Sequence, residues 1–145
     1  MVALVSYRQV FAVLATVLAF WFAGTSLGHA AGVDSLKKEI DQFANASSSA
    51  YWLQFACPEL RKDKSAINRA YSRLDKSLYK AGIGEKDRNK IFKDAIERRK
   101  GPEGAEQYAN SQGLTLHKND AEKLCKRLNK EVQKKTLLGS FMKVK

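Results

Sequence analysis

"KSAINRAYSRLDKSLYKAG" (Lys64–Gly82) is the stretch that decides the fold. Set 100° apart, Ile67, Ala70, Tyr71, Leu74 and Leu78 fall into one narrow stripe, the mark of a helix with a single buried face. Arg69, Arg73, Lys76 and Lys80 fall opposite, and Gly82 supplies the left-handed residue on which helices stop. A strand would alternate every second residue, and this stretch does not.

The same period runs outward in both directions. A helix from about Glu85 to Lys100 turns Ile91, Phe92, Ala95 and Ile96 inward. "KGPEGAEQYANSQG" (Lys100–Gly113) places Pro102 near a first turn, Ala105, Tyr108 and Ala109 on one face, and Gly113 as a stop. A last long helix starts near Asn119 and buries Ala121, Leu124, Cys125, Leu128 and Val132. Leu137, Leu138, Phe141 and Met142 form an apolar tail around Gly139. Upstream, Asp34 and Ser35 cap a first helix carrying Leu36, Ile40, Phe43 and Ala44. "NASSSA" (Asn45–Ala50) weakens it, because small hydroxyl side chains compete for backbone hydrogen bonds. It resumes through Tyr51, Leu53 and Phe55 and ends at Cys57, since Pro58 disfavours helical geometry before it. The expectation is an all-α bundle of about five helices in one domain.

The N-terminus sets the compartment. One cation, Arg8, precedes an uncharged run from Val10 to Ala23, and "GTSLGHA" then brings Gly28 and Ala30 to small-residue cleavage positions. This is the pattern of a cleaved signal peptide over residues 1–30, with a cut after Ala31 as the alternative. The run is 14 residues long, short of the roughly 20 that cross a bilayer as a helix. Residues 31–145 then form a single domain with no membrane span, and a periplasmic location, or the extracellular space beyond it, follows. They hold 25 basic residues against 15 acidic ones, and one histidine, His117.

Export makes a staple of the two cysteines. In an oxidising compartment two thiols have one pairing, Cys57 with Cys125. A metal site needs more ligands than two thiols and a distant histidine supply.

Two basic stripes are the candidate surface for an anionic partner: Arg69, Arg73, Lys76 and Lys80 on one helix, and Lys123, Lys126, Arg127, Lys130 and Lys134 on the last. The simpler reading is a solvated face that keeps an exported protein soluble. No aromatic is interleaved as single-strand binding prefers, and nucleic acid is not expected outside the cytoplasm. Trp52 projects away from Leu36 on a continuous helix, where it would anchor a partner; a kink at the serine run turns it into the core, which is the expectation. Arg88 and Arg99 lie on the apolar side of their helix, where a rim arginine needs a carboxylate or free carbonyls, with Glu103 or Glu106 in reach of Arg99; a structural pair is the expectation, and the alternatives are snorkelling from the rim or the edge of a pocket.

Catalysis finds little footing. General acid–base or nucleophilic work uses His, Cys or paired carboxylates in a cleft. Here the thiols are committed, His117 stands alone at a helix start or on the surface, and the carboxylates are scattered among lysines. No phosphate loop, zinc signature or nucleophile elbow occurs. No cofactor and no enzyme is the reading.

Cys57–Pro58, Arg98–Arg99, Tyr108, Gly113, Cys125, Glu131 and Gly139, in that order, resemble an uncharacterised family of small exported bacterial two-cysteine helical proteins. The likeness covers about Cys57 to Met142. It implies an envelope location, a helical fold and a disulfide, and no activity. In outline the build is also similar to periplasmic immunity proteins that neutralise toxins. The expected function is therefore a non-catalytic exported module that binds an envelope protein; the alternative is a peripheral protein binding anionic lipid or polysaccharide through its basic faces.

Overall fold

The computed structural model describes the backbone from Arg8 and the side chains from Gly32. The signal peptide expected over residues 1–30 lies outside the fully described residues. Contacts divide the chain into Met1–Ser35 and Leu36–Lys145, and the second unit carries the core. In chain order the elements are α1 (Arg8–Ala56), β1 (Leu60–Lys62), α2 (Lys64–Lys80), α3 (Glu85–Glu97), α4 (Glu103–Ser111), a 3-10 turn (Lys118–Asp120), α5 (Ala121–Lys134), α6 (Leu137–Ser140) and β2 (Met142–Val144). The architecture is all-α, with six α-helices and one small ribbon among the described residues. About five helices were expected; the sixth is the short apolar turn around Gly139.

α1 is the spine. Ile40, Phe43, Ala46, Ala50 and Leu53 are buried along it, three and four residues apart as a helix requires, with Ala44 beside them. The expected break at Asn45–Ala50 does not occur, and Asp34 and Ser35 lie inside the helix, not at its start. Tertiary contact overrides propensity there. Ser47 Oγ donates to the Ala44 carbonyl at 3.1 Å, and Ser48 Oγ donates across the fold to the Arg99 carbonyl at 2.7 Å. The run's small side chains also let α4 approach: a Cβ built on Gly104 would stand 2.7 Å from both Asn45 Oδ1 and Ser49 Oγ. Residues that weaken an isolated helix here become a packing surface.

Phe43 centres the core. Its ring meets Phe92 edge-on at 6.3 Å and Phe141 at 5.7 Å, while Tyr71 and Phe92 lie 4.3 Å apart. Leu74 and Leu78 of α2, Ala105 and Ala109 of α4, and Leu124 and Leu128 of α5 complete it. The stripe read on α2 is therefore the buried face, although Ile67, Ala70 and Tyr71 are only half-buried. Gly82 ends α2 with φ +80° and donates to the Tyr79 carbonyl at 2.9 Å. Gly113 ends α4 in the same left-handed region.

Two closures hold the chain's ends to this core. Cys57, just after α1, is joined to Cys125 on α5 with Cα atoms 5.4 Å apart. Beyond Pro58, β1 pairs antiparallel with β2, Leu60 opposite Val144 and Lys62 opposite Met142. Asp63 then caps α2, accepting from Ser65 N at 3.0 Å and Ala66 N at 3.2 Å. The Ala66 N–H bond, followed by the nearby Lys143 charge, holds its carboxyl below the usual range. At the far end, Gly139 packs directly on the Glu131 carbonyl, where a Cβ would collide with backbone. Thr136 Oγ1 donates to Glu131 Oε2 at 2.5 Å and accepts from Gly139 N at 3.1 Å. The Glu131 and Gly139 of the sequence pattern are thus partners in one turn.

α3 ends at Glu97, earlier than the expected Lys100. Ile96, expected inward, is 45% exposed, and Tyr51 and Phe55 are exposed as well. Tyr51 and Ile96 share one region; Leu137 of the expected apolar tail is exposed as well.

Candidate functional site

The expected cations of α2 form a row. Arg69, Arg73, Lys76 and Lys80 are all exposed and line one open surface with Ser65, Asn68, Ser72 and Ser77. No carboxylate lines that surface. The row spans roughly 16 Å at 1.5 Å per residue. Arg69 Nη1 is steadied by Ser65 Oγ at 2.7 Å. The acidic residue of this helix, Asp75, faces elsewhere and binds Arg88 Nε of α3 at 2.7 Å. Arg88 also donates to the Ile83 carbonyl at 2.9 Å, so it is a structural strut with the carboxylate its position demanded.

The α5 stripe is also exposed at Lys123, Lys126, Arg127, Lys130 and Lys134. It is partly neutralised, because Lys126 pairs with Glu122 at 2.8 Å. That hydrogen bond lowers the Glu122 carboxyl and raises the Lys126 ammonium. Of the two rows, α2 presents the cleaner positive field.

Beside the α2 row lies a feature that the sequence does not announce. A groove of about 490 Å3 is bounded by α1, by α2 and by the turn between α3 and α4. Phe43, Tyr51, Trp52, Tyr71 and Ile96 give it apolar walls, and Lys62, Arg99 and Lys100 lie at its edges. Again no carboxylate lines it. Asn68 belongs to both the groove and the α2 surface, so the two are continuous.

Local structure explains each wall. Because α1 runs unbroken through the serine run, Trp52 is half-buried at the core's edge and neither buried nor fully outward. Tyr51 stacks edge-on with Trp52 at 5.4 Å and with Phe55 at 5.4 Å. Lys62 Nζ sits 4.4 Å from the Tyr51 ring centre, a cation–π contact. The far wall is the α3–α4 turn, bent at Gly101 with φ +116° and tied to α1 by Ser48. Arg99 lies in this turn, off the helix. The expected pairing with Glu103 or Glu106 does not form: among the described residues no ion pair joins Arg99 to a carboxylate, and Arg99 lines the groove, as the pocket-edge alternative has it. Its neighbour Arg98 binds Asp41 at 2.7 Å, and Lys100 binds Glu97 at 2.5 Å.

His117 is exposed at the start of the 3-10 turn. Among the described residues no three His, Cys, Asp or Glu side chains are grouped to hold a metal ion. Among them, too, no helix is long and apolar enough to cross a membrane.

No curated protein and no solved structure matches the chain. One family model does, over residues 35–143: DUF5333, described as a family of unknown function. That match begins one residue before the compact unit and runs into β2, taking in the disulfide, the α2 row and the groove. The chain belongs to this family of unknown function, DUF5333.

Proposed function

We propose that the protein is an exported, non-catalytic binding module of the bacterial periplasm whose partner is an acidic envelope protein, captured along α2 in the manner of an immunity-type inhibitor. The observation that carries this reading is the row Arg69, Arg73, Lys76 and Lys80, exposed and lined by hydroxyls with no carboxylate among them. Arg88 and Arg98, by contrast, already hold carboxylates. A carboxylate-free row attracts an acidic surface at long range and sets register on contact. The signal-peptide pattern and the joined cysteines support the oxidising compartment.

The test is capture from envelope extract on immobilised protein, wild type against an R69Q/R73Q/K76Q/K80Q variant. An acidic protein is retained by the wild type, elutes as salt rises, and is missing from the variant. Retention of the same proteins by both would overturn the reading. A second reading rests on the same row with its three serines: a peripheral protein that lies on anionic lipid or polysaccharide. It predicts sedimentation with phosphatidylglycerol vesicles that fades with salt, because exposed charges are screened within about 10 Å at 0.1 M. Binding that is indifferent to lipid charge excludes it.

A further inference from the structure

We infer that the groove between α1, α2 and the α3–α4 turn is a binding site for a long-chain carboxylate, a fatty acid whose alkyl chain lies against Trp52, Tyr71 and Ile96 and whose head meets Arg99 and Lys62. This goes beyond the partner surface on α2 and is independent of it.

Four observations converge. First, the groove's volume of about 490 Å3 sits in the lower part of the roughly 300–1,000 Å3 range of small-molecule sites, room for one chain and not for a two-chain lipid. Second, its walls expose apolar surface that a folded core would hide: Tyr51 is 40% exposed and Ile96 45%. Contiguous exposed apolar surface edged by polar groups marks a site. Third, the cations at the edge are available. Arg99 forms no ion pair among the described residues, and Lys62 rests on a ring, with no carboxylate in the lining. A guanidinium binds a carboxylate through two parallel hydrogen bonds, which suits Arg99 to the head.

The fourth observation separates an alkyl chain from a peptide. The two serine hydroxyls in the groove already donate to backbone carbonyls, Ser47 to Ala44 and Ser48 to Arg99, which leaves Asn68 and the Tyr51 and Tyr71 hydroxyls among the other uncharged polar side-chain groups of the lining. A peptide entering here would find few partners for its regularly spaced N–H and C=O groups, and those left unpaired would carry a desolvation cost. An alkyl chain asks for no partner. Positive charge at the edge, mostly apolar surface inside and few hydrogen-bonding groups between them describe the site of an anionic single-chain amphiphile.

The test is isothermal titration calorimetry on the full chain, with octanoate, nonanoate and decanoate below their micelle concentrations. One site per chain is expected, with each added methylene tightening binding roughly fourfold. Decyltrimethylammonium, with the same chain and the opposite charge, binds at least about tenfold more weakly, since a like charge meets Arg99 and Lys62. R99Q/K62Q loses about tenfold for decanoate and keeps the per-methylene increment. Ile96→Asp, at an exposed position where folding is little affected, loses the increment while its circular dichroism stays that of the wild type. The R69Q/R73Q/K76Q/K80Q variant keeps decanoate binding, so this site and the α2 surface fail separately. No binding, equal binding of the cationic amphiphile, or insensitivity to both R99Q/K62Q and Ile96→Asp would each overturn the assignment.

Discussion

Reducing the Cys57–Cys125 bond should remove a large share of the protein's stability, and the structure sets how much. The bond closes a loop of 68 residue steps, for which the chain-entropy relation gives on the order of 4 kcal/mol. A domain of this size has roughly 5–15 kcal/mol in all. At roughly 4 °C per kcal/mol the melting temperature falls by about 15 °C. The assay is urea unfolding followed by circular dichroism, on oxidised protein, on the same protein held in reductant, and on C57A/C125A. The reduced sample isolates the cross-link, because both sulfurs stay in a core where Cys57 is fully buried and Cys125 is 8% exposed. C57A/C125A should be at least as unstable, since it also loses that packing. Oxidised and reduced curves within about 1 kcal/mol would refute the reasoning, because a loop this long cannot be closed for so little by that relation.

Other expectations concern single residues. Gly139→Ala places a methyl on the Glu131 carbonyl and should cost at least about 1–3 kcal/mol in the same urea assay, while Gly84→Ala, whose Cβ meets open space, should not. Asp63→Ala removes the α2 cap and should cost about 1 kcal/mol. The Asp63 carboxyl is lowered in the folded state, so its contribution is present above its ordinary value of 3.8 and is lost as pH falls below that. Wild type and Asp63→Ala should therefore converge in acid. Tyr108 is pushed up to about 12, first by burial and then by the Glu131 charge. Spectrophotometric titration should find one late tyrosine that Tyr108→Phe removes, with the stability tied to it lost between pH 10 and 12.

How much of this was legible in the sequence varies with how local the cause is. α2 and α5 could be read because their stripes are intrinsic to the helix: Leu74 and Leu78, and Leu124, Cys125 and Leu128, are buried where the period puts them. The disulfide followed from compartment chemistry. α1 was misread at the serine run because what holds it, the bond of Ser48 to Arg99 and the seat for Gly104, comes from residues some fifty positions away. β1 and β2, at three residues each, are too short to show an alternation. The α2 row was visible as a charge pattern, but its freedom from carboxylates depends on Asp75 turning to Arg88. Of the groove, only hints at its rim could be read, in Arg99 and Trp52. The groove joins α1, β1, α2 and a turn, elements distant in the chain, with Ile96 near the end of α3 and Arg99 beyond it both exposed in its lining. The signal in Trp52 was its phase, which on an unbroken helix points away from Leu36, whereas burial through a kink was the expectation.

Site-specific photo-crosslinking in living cells tests the central claim most directly. A photoreactive side chain replaces Ser72, which lies exposed within the α2 row, and in a second strain replaces Lys90, exposed on α3. The account predicts one discrete protein adduct from position 72, lost when Arg69, Arg73, Lys76 and Lys80 become glutamine, and no such adduct from position 90. No adduct at position 72, or the same adduct from both positions, would contradict it.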